Sequence, residues 1–246
     1  MTGLGDPQSV RRGRLLASGR DADIFEAGAG IVVRRSREGR SLEGEAQLME
    51  HVRRAGFPTP AVHGIGAGGT ELFMERLVGP SMMDVFLRSP LRLPALAKTL
   101  ARLHRQLGAI AAPAALHRLT DGGNSVVHLD LHPQNVLMTA KGPFVIDWAN
   151  ASRGHPASDV ASTWVIMQSS MFQGNILERA LTNLGRGAFL FAFLRDSRQR
   201  EAARSALPSV IAARLADPHL TESEVTFLRR WRHRLVFTTE HLCNED

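Results

Sequence analysis

The strongest constraint on the fold is a change in the spacing of apolar residues about a third of the way along the chain. Over residues 14–35, short apolar segments alternate with turn sequences such as GRDAD and GAG, which predicts a three-stranded meander. Residues 41–56 have helical spacing, and two further strands are predicted at 61–65 and 71–77. We therefore predict an N-terminal lobe, residues 1–78, with a five-stranded sheet and one helix.

The rest of the chain, residues 79–246, has mainly helical spacing. Four helices are predicted, at residues 93–107, 157–171, 176–194 and 222–242. A β pair interrupts them, formed by VLM and FVIDW and joined by TAKGP. A strand-rich lobe followed by a helical lobe predicts an α+β fold of two lobes, without internal repeats.

The helix predicted at 41–56 carries a charged residue on its apolar face. Glu45 falls in the same stripe as Leu42, Met49 and Val52, whereas Glu50 lies on the polar face. Ser41 is the predicted N-cap, and a glycine at position 56 is the predicted stop signal.

The stretch VVHLDLHPQNVLM concentrates polar groups among apolar strand formers. It contains His128, Asp130, His132 and Asn135 within eight residues. A solvated surface loop is disfavoured because apolar residues alternate with the polar ones, and a buried loop must satisfy its polar groups internally. Two interpretations with specific chemistry remain.

A metal site is the first of these interpretations. In an extended strand His128 and His132 would lie about 13 Å apart at roughly 3.3 Å per residue, whereas zinc–nitrogen bonds are about 2.1 Å long. Sharing one ion would require a bend, which Pro133 supplies in principle. No other His/Cys pair at ligand spacing occurs in the sequence. A His/Asp metallohydrolase therefore stays the less favoured alternative.

Phosphoryl transfer is the second interpretation. The order His128-x-Asp130-x-x-x-x-Asn135 reproduces the spacing of the kinase catalytic loop, and Asp147 follows twelve residues after the asparagine. In this reading Asp130 accepts the proton of the substrate hydroxyl. Asn135 and Asp147 would hold Mg²⁺, which prefers hard oxygen ligands. The short hairpin between them would bring both residues to the same end of a β pair.

Three segments, HLDLHPQN, VIDW and GHPASDVA, resemble the aminoglycoside phosphotransferase-like family. Its members are relatives of the protein kinases and phosphorylate hydroxyl groups of small molecules. The resemblance covers roughly residues 15–171. It implies a two-lobed protein-kinase-like fold with a nucleotide bound in the cleft, ATP as the default donor with GTP as a second option, and Mg²⁺.

The same resemblance assigns further residues to the nucleotide site and the catalytic loop. ASGRDADIF corresponds to the phosphate loop, in which Gly19 lets backbone N–H groups approach the phosphates. The segment 74–77, which includes Glu75, corresponds to the hinge against which adenine lies. Asp159 would support the catalytic loop. His128 would bond backbone near that loop, and His132 would shape the loop or lie near the phosphate.

The main departure from the family is that the lysine it usually has on the third strand is missing here. Lys98 and Lys141 are the only lysines, so the strand IVVRR offers Arg34 or Arg35 instead. Arg34 fits the alignment slightly better and would pair with Glu45. Arginine does not simply replace lysine. Two hypotheses follow: an active phosphotransferase that uses arginine, or a nucleotide-binding pseudokinase-like scaffold. Activity is favoured because the base and both metal ligands are intact.

Two smaller departures concern the loops. Leu129 stands where the family often has glycine, and residues 148–159 are too few for an activation loop of the protein-kinase type. We therefore predict constitutive activity.

Composition bears on partners and location. The net charge of +6 is spread along the chain and tyrosine is absent, so no nucleic-acid partner is expected. No apolar run approaches the roughly 18 residues of a membrane span. One cysteine permits no intramolecular disulfide, and we expect a cytoplasmic protein.

The acceptor is a hydroxylated small molecule, whose identity stays open. Aminoglycosides are polycations, but ten acidic residues face twelve basic ones from residue 151 onward. An aminoglycoside-like antibiotic, a sugar and an amino alcohol are therefore all candidates. The sequence does not predict the oligomeric state.

Overall fold

A computed structural model of the chain describes residues 13–19, 21–169 and 176–243. Predictions for residues 1–12, for Arg20 in the phosphate loop and for the end of the helix at 157–171 lie outside the described residues. The strands are β1 Leu15–Ser18, β2 Ala22–Glu26, β3 Ile31–Ser36, β4 Val62–Gly66, β5 Glu71–Glu75, β6 Ser125–Val127, β7 Val136–Thr139, β8 Gly142–Val145 and β9 Ser152–Gly154. The helices are α1 Glu43–Arg54, α2 Met82–Arg88, α3 Leu93–Gly108, α4 Pro156–Ser169, α5 Ile176–Ser197, α6 Arg200–Arg214 and α7 Glu222–Cys243.

The first five strands form one antiparallel sheet in the order β1-β2-β3-β5-β4. Because side chains alternate across a strand, β3 divides its residues between two faces. Val33 packs with Ala27 and Phe73 in a small apolar cluster on one face. Val32 and Arg34 belong to the other face and line the cleft beneath the sheet. The predicted α+β class and five-stranded N-terminal sheet are confirmed.

Helix α1 is present, but the prediction of Ser41 as its N-cap is wrong. The helix begins at Glu43, and the N-cap is Leu42, whose side chain makes no capping hydrogen bond. Leu42 is buried in the core and its N–H donates to the carbonyl of Gly69. Core packing at Leu42 therefore sets the helix start one residue later than local capping chemistry would. The predicted stop is confirmed, because Gly56 follows the helix with a φ of +83°.

The second lobe is built on paired helices. α3 packs on α5, and α4 packs on α6. The sequence pattern missed α2 and α6. α2 has only seven residues, although Ser81 and Asp84 form a capping box that marks its start. α6 contains Pro208, which interrupts the expected helical pattern.

The larger apolar cluster among the described residues runs through both lobes. It extends from Leu42, before α1, and Met49 of α1 through α3 and α4 to Leu228 of α7. A backbone hydrogen bond also crosses between the lobes, from the N–H of Val145 to the carbonyl of Pro58. This packing fixes the sheet over the loops of the second lobe. No helix among the described residues is long and apolar enough to cross a membrane.

Candidate active site

A cavity of about 1510 Å³ separates the sheet from the loops of the second lobe. Pockets for single small ligands are typically about 300–1,000 Å³, so this cavity has room for more than one molecule. Its lining includes residues predicted for the site from both lobes, namely Gly19, Arg34, Glu45, Glu75, Asp130, His132 and Asp147. The structure therefore brings together the residues that the sequence assigns to nucleotide and catalysis.

The loop between β6 and β7 is held from below by α4. Asp159 Oδ1 accepts hydrogen bonds from the N–H groups of His128 at 3.0 Å and Leu129 at 2.6 Å. Ser162 Oγ donates to the Leu129 carbonyl. Leu129 has a φ of +63°, a conformation that costs a non-glycine residue about 1–2 kcal/mol. The bonds from Asp159 and Ser162 offset this cost, and the conformation explains why glycine suits the position.

His128 is completely buried at the centre of this loop. Its Nε2 lies 3.1 Å from the Ile146 carbonyl and must donate, while its Nδ1 accepts from the Asp130 N–H at 3.3 Å. These two bonds define a neutral tautomer, and burial lowers the pKa of His128 in the same sense. The ring packs against Trp148 with 4.8 Å between centroids. His128 therefore joins the catalytic loop to the segment that leads into Asp147.

His104 is a site residue that sequence reasoning missed. It is 2% exposed, and its Nδ1 lies 3.1 Å from Asp159 Oδ2 without the alignment of a hydrogen bond. Its Nε2 contacts the Leu131 carbonyl at 3.2 Å, to which Thr163 also donates. The available signal was its position four residues after Leu100, on the apolar face of α3. His104 therefore gives the loop between β6 and β7 a second contact with the helices behind it.

The Asp159 carboxylate is buried but strongly supported. Burial raises its pKa, while His104, His128 and the Leu129 N–H lower it, and the net pKa lies below the usual aspartate value. Asp159 therefore stays ionised and keeps accepting from the loop backbone.

Asp130 is oriented by two neighbours. Asn135 Nδ2 donates to the Asp130 carbonyl at 2.9 Å and to Oδ2 at 3.0 Å. His132 Nδ1 accepts from the Gln134 N–H at 3.4 Å, so its Nε2 carries the proton and points to Asp130 Oδ1 at 3.5 Å. Burial raises the pKa of Asp130, but the contact with His132 and nearby positive charge hold it below the usual value. The carboxylate is thus ionised at neutral pH and able to accept a proton.

Asn135 and Asp147 lie at the same end of the β7–β8 hairpin. Val136 pairs with Val145, and the Ile146 N–H donates to the Asn135 carbonyl at 3.0 Å. The Asn135 amide nitrogen faces Asp130 and His132, and the amide oxygen has no hydrogen-bond donor among the described residues. The Asp147 side chain is 46% exposed, and its φ of +65° turns it out of the strand direction. An amide oxygen and an accessible carboxylate are a donor set that fits Mg²⁺.

The two catalytic-loop histidines do not converge on one point. His128 faces the Ile146 carbonyl, whereas His132 faces Asp130. Within the described part of the chain, no group of three or more His, Cys, Asp or Glu residues is arranged to hold a metal ion. This geometry disfavours the metallohydrolase alternative.

Arg34 is the arginine of β3 that enters the cleft. Its guanidinium donates to Glu45, and its Nη2 lies 3.2 Å from Asp147 Oδ1. Burial raises the pKa of Glu45, with the charge of Arg34 opposing the shift. Arg35 instead pairs with Glu71 at 3.3 Å, and its side chain is 34% exposed. The structure therefore places a buried cation between the helix carboxylate and Asp147.

The remaining predicted residues lie on the sheet side of the cavity. The Gly19 N–H donates to the Ala22 carbonyl at 2.9 Å and closes the β1–β2 turn. The Glu75 side chain accepts from Lys141 Nζ at 3.3 Å and from the Ala61 N–H at 3.3 Å. Its carboxylate is thus engaged in joining β5 to the β7–β8 hairpin, and the hinge segment 74–77 lines the cavity.

Comparison with known proteins relates this site to a family. The model of the phosphotransferase enzyme family (APH) matches residues 12–121 and 106–204. A comparison with curated proteins gave no match.

Solved structures show the same fold at low sequence identity. A thermostable mutant of aminoglycoside phosphotransferase APH(4)-Ia in its apo form is 17% identical, with 94% of this chain and 96% of that one covered and a TM-score of 0.67. The same mutant protein carrying N202A, in a ternary complex with AMP-PNP and hygromycin B, is 18% identical over 94% and 95% with a TM-score of 0.64. The streptomycin–ATP–APH(2")-IIa ternary complex is 18% identical over 84% of each chain with a TM-score of 0.57.

Proposed function

The chain belongs to the phosphotransferase enzyme family, and from this premise we propose that it transfers the γ-phosphoryl group of Mg-ATP to a hydroxyl group of a small molecule. One observation carries the proposal. The ionised Asp130 accepts a hydrogen bond from Asn135, and Asn135 lies at the same end of the β7–β8 hairpin as Asp147. Asp130 and Asp147 line a cavity that Gly19 and Arg34 also line. This arrangement supports the proposal because phosphoryl transfer requires a base, oxygen ligands for Mg²⁺ and groups that bind phosphate.

Asp130 is the proposed base. Its lowered pKa keeps it ionised, and the bonds from Asn135 and His132 aim the carboxylate. A hydroxyl placed against Asp130 would transfer its proton to the carboxylate as its oxygen attacks the γ-phosphorus, and ADP would leave on the opposite side. One in-line displacement of this kind inverts the configuration at phosphorus and forms no covalent phosphoenzyme.

Asn135 and Asp147 are the proposed ligands of Mg²⁺. When bound, the ion would neutralise charge on the nucleotide phosphates. Arg34 contributes a second cation on the sheet side, held in place by Glu45. Arg34 Nη2 lies 3.2 Å from Asp147 Oδ1. The guanidinium would therefore lie close to both the nucleotide phosphates and this ligand of Mg²⁺.

The adenine side of the site is proposed on the first lobe, residues 1–78, and the acceptor side on the second, residues 79–246. The nucleotide would lie beneath the sheet, with its phosphates near the turn at Gly19 and its base near the segment 74–77. APH(4)-Ia binds AMP-PNP with hygromycin B, and APH(2")-IIa binds ATP with streptomycin. By analogy this chain takes ATP, with GTP as a second donor to test, and an antibiotic, sugar or amino alcohol as acceptor.

A transfer assay with matched variants tests this proposal. Purified protein with Mg-ATP or Mg-GTP is incubated with a panel of hydroxylated compounds, and nucleoside diphosphate release is measured. Asp130→Asn is expected to lower kcat by about 10²- to 10⁴-fold, the range for general base catalysis. Glu38→Gln, which changes an exposed carboxylate at the cavity rim, is expected to leave kcat unchanged.

The alternatives give different results in the same assay. Nucleotide binding without turnover of any acceptor would support a pseudokinase-like scaffold. Turnover that Asp130→Asn leaves intact would remove Asp130 as the base. Retention of configuration with a chiral γ-phosphoryl group would show a phosphoenzyme and contradict the single displacement.

A further inference from the structure

The cavity continues past Asp130 to a wall formed by the end of α6 and the turn that follows it. We call this surface the acceptor wall. Its lining residues are Ser209, Val210, Ala213, Arg214, Asp217 and His219. It lies on the second lobe, away from the sheet, so a phosphoryl acceptor that reaches Asp130 would contact it.

The carboxylates near the acceptor wall are already engaged in protein contacts. Asp121 accepts from the N–H groups of Gly123 and His155, both at 2.9 Å, and from Ser158 Oγ at 2.6 Å. Asp217 Oδ1 binds the His219 N–H at 2.9 Å and the His219 ring at 3.1 Å. Neither group is arranged as a receptor for the amines of a polycation.

Arg214 has the opposite character. Its side chain is 26% exposed, and the closest carboxylate oxygen, Asp217 Oδ2, lies 3.7 Å from Nη1, beyond hydrogen-bond distance. Its Nε is buried and has no hydrogen-bond partner among the described residues. A guanidinium has five donors in a planar fork, and such donors are costly to leave unpaired. The acceptor wall therefore presents a cation that lacks a full set of partners.

Arg214 and Asp130 line the same cavity. A positively charged group on an acceptor bound at Asp130 would be repelled by this guanidinium. A negatively charged group would be attracted by it and could accept two parallel hydrogen bonds.

We propose that the acceptor is a hydroxylated compound bearing an anionic group, a carboxylate or a phosphate, and that Arg214 binds this group while the hydroxyl lies at Asp130. The inference rests on the proposed function and narrows its acceptor from any antibiotic, sugar or amino alcohol to a hydroxylated compound that carries an acidic group. It accounts for a large cavity that is lined by both the Asp130 carboxylate and the Arg214 guanidinium.

Binding of four matched pyranoses tests the proposal. The probes are glucose, glucosamine, glucuronate and glucose 6-phosphate, which share a hydroxylated ring and differ in charge. Each is titrated by calorimetry into protein saturated with Mg-ADP, which leaves the position of the γ-phosphoryl open. At least one anionic sugar is expected to bind about tenfold or more tightly than glucose and glucosamine, because a charged pair of bidentate geometry is worth at least that factor. Comparison of the affinities of glucuronate and glucose 6-phosphate shows whether the site prefers a carboxylate or a phosphate.

Variants of α6 connect the preference to Arg214. Arg214→Gln is expected to abolish the preference for the anion, and Arg214→Lys to retain part of it. Arg204→Gln, an exposed arginine on the same helix, is the matched control and should behave as wild type. Thermal unfolding of each variant checks that the fold is kept.

Three outcomes would overturn the proposal. Glucosamine binding as tightly as the anions would show a site for cations. If neither anionic sugar bound at tens of millimolar, the wall would have no site for an anion. If the preference for the anion survived Arg214→Gln, Arg214 would not be the residue that recognises the acceptor. Weaker Mg-ATP binding by Arg214→Gln would assign Arg214 to the nucleotide phosphates.

The proposed function fails by a different measurement. It fails when wild-type protein does not bind Mg-ATP, which is titrated without any sugar. Anion preference is also measured on nucleotide-free protein, so recognition at Arg214 is read independently of phosphoryl transfer.

Discussion

Replacing Arg34 by methionine tests the arginine that stands in place of the family's lysine. Arg34 and Glu45 have side chains only 9% and 8% exposed, so the variant leaves a buried carboxylate without its cation. Removing one partner of a buried pair typically costs about 3–5 kcal/mol. We expect Arg34→Met to lower the free energy of unfolding by about 3 kcal/mol at neutral pH, the lower end of that range, because Glu45 can relieve part of the cost by taking up a proton.

The loss should depend on pH with a definite sign. Burial raises the pKa of Glu45 in the folded protein, and loss of Arg34 removes the main opposing charge. A carboxyl whose folded pKa is raised favours the folded state when protonated, and that contribution is lost as pH rises through the folded pKa. The deficit of Arg34→Met is therefore largest at alkaline pH and shrinks towards acidic pH.

A double variant separates stability from function. Arg34→Met with Glu45→Met replaces the buried pair by apolar side chains, which is often neutral or stabilising, so unfolding should return to within about 1 kcal/mol of wild type. Mg-ATP binding should still be weakened, because the cation on the sheet side is gone. Urea unfolding at several pH values and nucleotide calorimetry measure the two effects.

Arg35→Met is the matched control on the same strand. Arg35 pairs with Glu71 on a side chain that is 34% exposed, so its loss should cost about 0–1 kcal/mol and leave nucleotide affinity unchanged. A decrease of less than about 1 kcal/mol in the free energy of unfolding of Arg34→Met would show that the buried pair does not stabilise the fold. A double variant that binds Mg-ATP as tightly as wild type would show that Arg34 does not bind the phosphates.

Three further predictions follow from the site. Glu45→Gln should weaken Mg-ATP binding about tenfold by loosening Arg34, whereas Glu50→Gln on the exposed face of α1 should change it less than about twofold in the same titration. Asp159→Asn should lower the free energy of unfolding by about 2–4 kcal/mol at pH 7. Because the pKa of Asp159 is lowered in the folded protein, wild type should lose this advantage as the pH falls below the usual aspartate pKa. Equal free energies of unfolding in urea for the two proteins at pH 7 would contradict the prediction. Because the pKa of Asp130 is lowered, kcat should stay level from about pH 6 to 8 and fall only below the usual carboxylate range, and an acid limb centred near pH 7 would identify another base.

Local patterns in the sequence predicted much of the fold. Short apolar segments between turn sequences predicted β2 and β3. Helical spacing of apolar residues predicted α1 and α3, because each of these helices buries one face. The sequence did not reveal α6, since Pro208 hides its period, nor the start of α1, where burial of Leu42 outweighs capping at Ser41.

The candidate site was predictable to a different extent. Spacing alone brought Asp130, Asn135 and Asp147 together, because the loop and the hairpin are contiguous in sequence. The contact of Arg34 with Asp147 joins residues 113 positions apart, and no local pattern reports it. His104 was missed for the same reason, since its contacts with Leu131 and Asp159 depend on how α3 packs against distant parts of the chain.

Calorimetric titration of ATP with and without Mg²⁺ into wild-type protein and Asp147→Asn is the most direct test of the proposed nucleotide site. We predict binding that Mg²⁺ strengthens in wild type, and a loss of that magnesium effect in the variant, because Asp147 supplies the accessible carboxylate of the proposed metal site. Well-folded protein that binds no nucleotide, or a variant that keeps the full magnesium effect, would contradict it.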